Sequence, residues 1–320
     1  MRFRALFSVL SVLPCAVALG QGYPAKPVRI VVPDAGGGPD ALARIIAPQL
    51  QSQTGQPFVV ENRPGANTIL GTDYVAKSPA DGYTLLFTTT AFAVNPSIYK
   101  KLPFDPIRDF TPITQVVGIE AMIITVPAAL PVKTLKEFIA EASKPGAKLS
   151  FGSPGIGNMM HLSGELFQAR AGTSMLHIPY KGTGPAIQAL FANEVQMING
   201  PAIVVLQGIQ AGKLRALAYT HRVRADFLPD VPTTAEAGVQ GAEMDGGWFA
   251  MFGPAKMPLD IANRVQSEVR QAVQDSTARE RIAAMMMKPI VNPPADFAKV
   301  VESSIARYRD LARIAKIEPE

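Results

Sequence analysis

Three glycine-rich turns carry the residues best suited to chemistry in this chain. They are Asp34-Ala35-Gly36-Gly37-Gly38-Pro39-Asp40, Ser153-Pro154-Gly155-Ile156-Gly157-Asn158 and Tyr180-Lys181-Gly182-Thr183-Gly184-Pro185. Each follows a strand-like segment and precedes a helix-like one. A helix N-terminus leaves backbone N–H groups unpaired and carries a partial positive charge. Glycines let a ligand approach that backbone closely. The chemistry on offer is capture of a carboxylate or phosphate without a charged side chain. Pro39 and Pro185 suit the first helical position, where a missing N–H costs nothing. The competing reading is that these turns serve packing alone. None matches a nucleotide motif: the second lacks a third glycine, and no Lys-Ser or Lys-Thr follows Gly36 to Gly38.

Enzyme chemistry finds less support. Ser153 has Phe151 where a nucleophile elbow needs its first glycine. His161 and Glu165 are four apart and share a helix face, but no histidine lies nearby in sequence to complete a metal site. The plainer expectation is that His161 forms a hydrogen bond near the start of its helix. His177, before Pro179, reads as structural or cleft-lining, and His221, among Arg222 and Arg224, as a surface residue. Trp248 and Phe249 either line a cleft or pack a crossover strand. Arg63, in Glu61-Asn62-Arg63-Pro64-Gly65-Ala66, has the fork to bind a carboxylate, with an ion pair to Glu61 as the simpler reading.

The elements that must position these turns alternate. Strands are predicted at Val28–Val32, Phe58–Val60, Leu85–Thr88, Ile123–Val126, Leu149–Phe151, Met175–Ile178, Gln196–Ile198 and Leu214–Tyr219. Helices are predicted at Pro39–Gln53, Ile69–Lys77, Thr134–Ser143, Met159–Ala171, Pro185–Ala192 and Ile203–Ala211, from apolar periodicity and caps such as Thr134. Such alternation favours parallel sheets covered by helices. The proline-rich stretch Asn95–Pro112 reads as an irregular connection between two α/β blocks. The last third is helical, with stripes at Ile261, Val265, Val269, Val273 and at Phe297, Val301, Ile305, Tyr308. Two α/β lobes joined by strands can hinge and close on a ligand.

The chain has 320 residues, 48% hydrophobic and 18% charged, which excludes a disordered chain. One cysteine rules out an internal disulfide and a multi-cysteine zinc site. Net charge is +5, with no run of Lys and Arg, so nucleic acid is not an expected partner. Arg2 and Arg4, the apolar run Ala5–Leu19, and small residues Ala16, Ala18 and Gly20 fit a secretory signal peptide over residues 1–20. Its removal takes away Cys15 and leaves 29 basic against 26 acidic residues, a net +3. A membrane anchor and a lipoprotein attached through Cys15 are the alternatives.

Several motifs occur in one order: Tyr23-Pro24-Ala25-Lys26-Pro27, Glu61-Asn62-Arg63-Pro64-Gly65-Ala66, Ala80-Asp81-Gly82-Tyr83-Thr84-Leu85, His177-Ile178-Pro179-Tyr180-Lys181-Gly182 and Leu228-Pro229-Asp230-Val231-Pro232-Thr233. With Ala211-Gly212-Lys213-Leu214 and Ala235-Glu236-Ala237-Gly238, they resemble the solute-binding proteins of the tripartite tricarboxylate transporter system, the Bug family. The likeness runs from Tyr23 to the C-terminal helix. It implies an α/β, periplasmic binding protein-like fold with a hinge and an interlobe cleft, lobe 1 being residues 24–122 and 248–320 and lobe 2 residues 123–247. It implies a periplasmic protein that captures a small organic acid and delivers it to inner-membrane permease subunits, with no cofactor and no catalysis. Ligand-binding residues carried over by position are Asp34, Ala35, Gly36, Gly37, Gly38, Thr89, Thr90, Ser153, Gly155, Gly157, Asn158, Tyr180, Lys181, Gly182 and Asn199.

Three positions depart from the family pattern. The first turn is one residue short and lacks a proline before its glycines, Asn158 and Met159 replace the usual Thr or Ser, and Asn199 replaces an Asp. Loss of that acid argues for a ligand without an ammonium group, and Met159 with Met160 for one with an aromatic or branched body. A sensor that presents its ligand to a membrane receptor kinase would share the fold and cleft. A cleft hydrolase would need a nucleophile–base pair that the sequence does not display.

Overall fold

The computed structural model describes residues 22–34 and 37–319. The expected signal segment, with Arg2, Arg4 and Cys15, lies outside the described residues, as do Ala35 and Gly36 of the first turn. In chain order the first elements are β1 (Val28–Val32), α1 (Gly38–Thr54), β2 (Phe58–Asn62), α2 (Ile69–Ala76), β3 (Thr84–Thr89), α3 (Ala91–Ile98) and β4 (Phe110–Ile119). Next come β5 (Met122–Pro127), α4 (Leu135–Ala142), β6 (Ser150–Ser153), α5 (Met159–Ala171), β7 (Leu176–Pro179), α6 (Thr183–Phe191), β8 (Ile198–Pro201), α7 (Ala202–Gln210) and β9 (Leu214–Tyr219). The chain closes with β10 (Gly247–Pro254), α8 (Leu259–Ala272), α9 (Ser276–Ala284), β11 (Lys288–Pro289) and α10 (Pro294–Ile314).

The first sheet runs β11-β4-β10-β3-β1-β2. β1 is an apolar run whose Val28 and Ile30 to Val32 are all fully buried, so it sits between two parallel neighbours, β2 and β3. In the second lobe β5 lies between β8 and β9, and β6 pairs with β7. A bridge from Phe151 to Met197 ties the two groups together. The expected all-parallel sheets are not what forms. β10 is antiparallel to both β3 and β4, and β5 is antiparallel to both its neighbours. The reason is connectivity. The chain leaves the first sheet along β4 and returns along β10 in the opposite direction, and the two strands pair side by side. Gly247 stands opposite Ile119, and the Gly246 N–H donates to the Ile119 carbonyl at 2.9 Å.

The proline-rich stretch is also more regular than predicted. α3 runs through Pro96 to Ile98, and β4 begins at Phe110 and includes Pro112. Both are held by burial rather than local propensity. Phe92 of α3 stacks on Phe252 of β10 at 4.3 Å and meets Phe110 edge-on at 5.1 Å. Phe252 in turn packs on Phe297 of α10 at 5.0 Å. The opposite face of the sheet buries Leu42, Ile46 and Leu50 of α1 with Val265 and Val269 of α8. Leu162 and Leu166 of α5 reach from the second lobe into the aromatic core of the first. α5 therefore joins the two lobes by packing, while β4 and β10 join them covalently.

Candidate functional site

A cavity of about 400 Å³ opens where the two lobes meet. The N-terminal ends of α1, α2, α3, α5, α6 and α7 border it, through Gly38, Thr68, Ala91, Met159, Thr183 and Ile203 respectively. Each of these helices follows the C-terminal end of a strand, the usual ligand side of open α/β folds. α1, α6 and α7 begin without a side-chain cap, so their first amides keep their hydrogen-bonding capacity. Asp34 is the one ionisable side chain among the described lining residues. Beside the Asp34 side chain, an anion here meets backbone amides and helix dipoles, with no ammonium or guanidinium group among the described lining residues.

The first turn enters the wall through Asp34, Gly37, Gly38 and Pro39. Gly38 packs closely on Phe249: a Cβ there would lie 3.1 Å from the ring. Thr89 and Thr90 line the cavity too, but their hydroxyls are already engaged. Thr89 Oγ1 accepts from the Ala91 N–H at 3.2 Å. Thr90 Oγ1 accepts from the Trp248 N–H at 2.7 Å and donates to the Trp248 carbonyl at 3.2 Å, tying β3 to β10.

The second turn contributes Gly157 and Asn158. Asn158 caps α5, its Oδ1 accepting from the Met160 N–H at 2.9 Å. The Gly157 N–H donates to His161 Nδ1 at 3.1 Å, as the sequence reading of His161 expects. That bond places the imidazole proton on Nε2, which faces Glu165 Oε1 at 3.6 Å. Ser153 is fully buried, its hydroxyl donating to the Gly155 carbonyl at 3.0 Å and lying 2.7 Å from His177 Nε2. The structure thus forms the serine–histidine contact that the sequence does not display. Burial, and secondly the neighbouring His161, push His177 down to about 3, so the ring is a poor general base. With no exposed nucleophile oxygen, the pair stiffens the turn.

Gly155, Ser153, Tyr180, Lys181, Gly182 and Asn199 stand off the cavity wall; from the third turn only Thr183, among the described residues, reaches it. Asn199 is buried behind α5, where its Nδ2 donates to Ser163 Oγ at 2.6 Å. Arg63 is also elsewhere, donating to Glu61 Oε1 at 2.6 Å and stacking 3.6 Å from the Tyr74 ring centroid.

Sequence reasoning overlooked much of the wall. Asn67 and Thr68 line it from a segment in which Ala66, Asn67 and Thr68 all have positive φ, +46°, +47° and +74°. Such backbone costs about 1–3 kcal/mol per residue and persists only where neighbours impose it. Here Asn67 Nδ2 donates to Asn95 Oδ1 at 2.7 Å, and Asn95 Nδ2 returns a bond to the Asn67 carbonyl at 2.9 Å. The Pro64-Gly65 turn composition was the available signal. Met122, Met287 and Gly246 had none, since each arrives from a distant part of the chain. Of the two readings of the 248–249 pair, Phe249 lines the cavity, and Trp248 lies buried in crossover strand β10. The apolar wall includes Met122, Met159, Met160, Ile203, Val204 and Met287 beside Phe249.

Residues 42–317 match the family described as Tripartite tricarboxylate transporter family receptor. Protein BugT of Bordetella pertussis (strain Tohama I) is 35% identical over 296 residues, 91% of this chain and 90% of its own. The solved structure of R. palustris Rpa4515 with adipate has a TM-score of 0.84 at 32% identity, covering 93% of this chain and 100% of the other. The structure of periplasmic binding protein BugD has a TM-score of 0.81, also at 32% identity, with the same coverage. These relatives are solute-binding receptors and not enzymes. The two solved structures share the α/β fold found here. The chain therefore belongs to the tripartite tricarboxylate transporter receptor family, as a periplasmic-type solute-binding protein.

Proposed function

We propose that this protein binds a small carboxylate-bearing solute in the interlobe cavity and delivers it to the permease subunits of a tripartite tricarboxylate-type transporter. The observation that carries this reading is the convergence of six helix N-termini on a cavity whose described wall holds no Lys, Arg or His. Adipate in a 32%-identical relative supports the ligand class. The working lobes are residues 24–122 with 248–320, and 123–247. The sheet membership of the strands supports this division, with β1 to β4, β10 and β11 on one side. Export to the periplasm, through a signal segment within residues 1–20 cleaved after Ala18 or Gly20, belongs to the same reading. Within the cavity, Gly37 and Gly38 with the α1 amides hold the carboxylate, and the methionine-rich wall takes an uncharged apolar body. Methionine suits that task because its long, polarizable side chain adapts to shape.

The test is thermal unfolding of the protein against adipate, malate, benzoate, branched-chain acids and the matching amides. A ligand at about 100 times its dissociation constant stabilises the fold by about 2.7 kcal/mol. Shifts with acids and none with amides support carboxylate capture. Equal shifts with acids and amides, or none with any acid, overturn it.

A further inference from the structure

The left-handed run Ala66–Thr68 brings a polar side chain to the cavity wall at the start of α2. Gly71, in the first turn of α2, lies so close to the end of β1 that a Cβ there would meet Pro33 Cβ at 2.7 Å. The start of α2 is therefore packed against the strand that leads to Asp34. Asn67 stands just before that start and lines the cavity. Its amide is oriented by a chain of bonds. Asn95 is fully buried in α3, and its Nδ2 donates to the Asn67 carbonyl at 2.9 Å. Asn95 Oδ1 is thereby left as an acceptor, so the Asn67 atom facing it at 2.7 Å is the donor Nδ2.

One of the two Asn67 Nδ2 hydrogens is used in that bond. The other hydrogen, the Oδ1 atom and the backbone N–H of Asn67 have no hydrogen-bond partner among the described residues. Other polar side chains of the wall are more fully engaged. The Thr90 hydroxyl both donates to and accepts from Trp248, and Asn158 Oδ1 caps α5. Asparagine also adopts left-handed backbone more readily than most residues, so the position suits it.

We propose that Asn67 is a further solute-contacting residue: a neutral amide, held at the wall by Asn95, that donates its remaining hydrogen to the carboxylate of the solute. The inference rests on the reading of the interlobe cavity as the carboxylate site, and adds a side chain to a grip otherwise made of backbone. Because Asn95 holds the amide before the ligand arrives, little rotamer freedom is lost on binding. Aspartate at this position has no hydrogen to donate. It sets a negative charge against the anion and an acceptor against Asn95 Oδ1.

The experiment compares the wild type with Asn67→Gly, Asn67→Asp and Phe297→Leu. Binding is read by calorimetry with adipate, malate and benzoate as the probes, and stability by thermal unfolding without ligand. Glycine keeps the left-handed backbone and removes the amide, whereas aspartate keeps the shape and replaces a donor by a charge. Phe297→Leu weakens the buried aromatic core and serves as a stability control. The expected result is a fall in affinity of about tenfold in Asn67→Gly for the acid that the wild type binds best, the ordinary consequence of one lost hydrogen bond to a charged group. In Asn67→Asp the fall is larger, and it shrinks between about 20 mM and about 500 mM salt because like-charge repulsion is screened. Phe297→Leu lowers Tm with affinity unchanged. That salt dependence is a readout a merely structural role would not move. Unchanged affinity in Asn67→Gly overturns the proposal. Equal, salt-independent losses in the two Asn67 variants overturn it too, by confining Asn67 to holding the loop. A matching loss in Phe297→Leu overturns it by tracing the effect to stability. In each of these outcomes the wild type still binds an acid. A wild type that binds none of the three overturns the carboxylate reading itself, and this inference with it.

Discussion

The imidazoles of His161 and His177 lie against each other with ring centroids 3.8 Å apart, directly beneath the second glycine turn. His177 stacks its ring on Phe151 at 4.8 Å and sits 2.7 Å from Ser153 Oγ. His161 takes the Gly157 N–H on its Nδ1. A fully buried serine, a phenylalanine and two histidines thus support one loop of the cavity wall.

This arrangement makes stability depend on pH. In the folded chain burial, and next the neighbouring His161, push the His177 pKa down from 6.5 to about 3. Between those values the unfolded chain binds the extra proton. The stabilisation is whole above about pH 6.5 and is lost progressively as pH falls toward about 3. One proton sets an upper limit of about 1.4 kcal/mol per pH unit, reduced by the solvent that reaches this part-exposed ring. Denaturant midpoints at pH 7.5, 6 and 5 check it. His177→Asn should flatten the slope, and a variant as pH-sensitive as the wild type would refute the assignment.

Gly157 has φ of +74°, and a Cβ there would clash with Ile98 of α3, on the other lobe. Gly157→Ala combines left-handed strain with an interlobe clash. It should cost about 1–3 kcal/mol of stability and weaken acid binding by holding the lobes apart. Small-angle scattering and a denaturation curve measure both effects. Ile98→Ala in the same chain should restore binding more than stability, because it relieves the clash but leaves the strain.

Thr90→Val removes the hydroxyl that joins β3 to β10 and strands the buried Trp248 N–H. A loss of about 1–3 kcal/mol is expected, with Thr90→Ser close to wild type. Equal losses in the two variants would place the cause in packing rather than in the hydrogen bond.

Met159→Ala removes apolar wall from the cavity. Affinity for an acid with an aromatic or branched body should fall by about 1–2 kcal/mol, roughly tenfold, while that for a two-carbon acid stays unchanged. Calorimetry with benzoate and acetate on both proteins separates these outcomes.

Local chemistry was legible in the chain itself. α5 spans the residues its pattern predicts because Asn158 caps one end and Gly172, with φ of +68°, ends the other. Thr134 caps α4 as expected, accepting from the Glu137 N–H at 3.1 Å. The glycine turns stand between strand and helix because glycine and proline impose that geometry within a few residues. Tertiary structure alone decided three things. β4 and β10 form across Pro112 because two crossing strands can satisfy each other's backbone groups only side by side. Ser153 meets His177 because β6 and β7 pair in parallel register, Ser153 against Pro179. Phe249 and Met287 enter the cavity because the last third of the chain returns to the first lobe. Hydrogen bonds within a turn depend on neighbours a few residues away and leave a signature in sequence. Contacts across 100 residues depend on which surfaces bury together, and no local spacing records them.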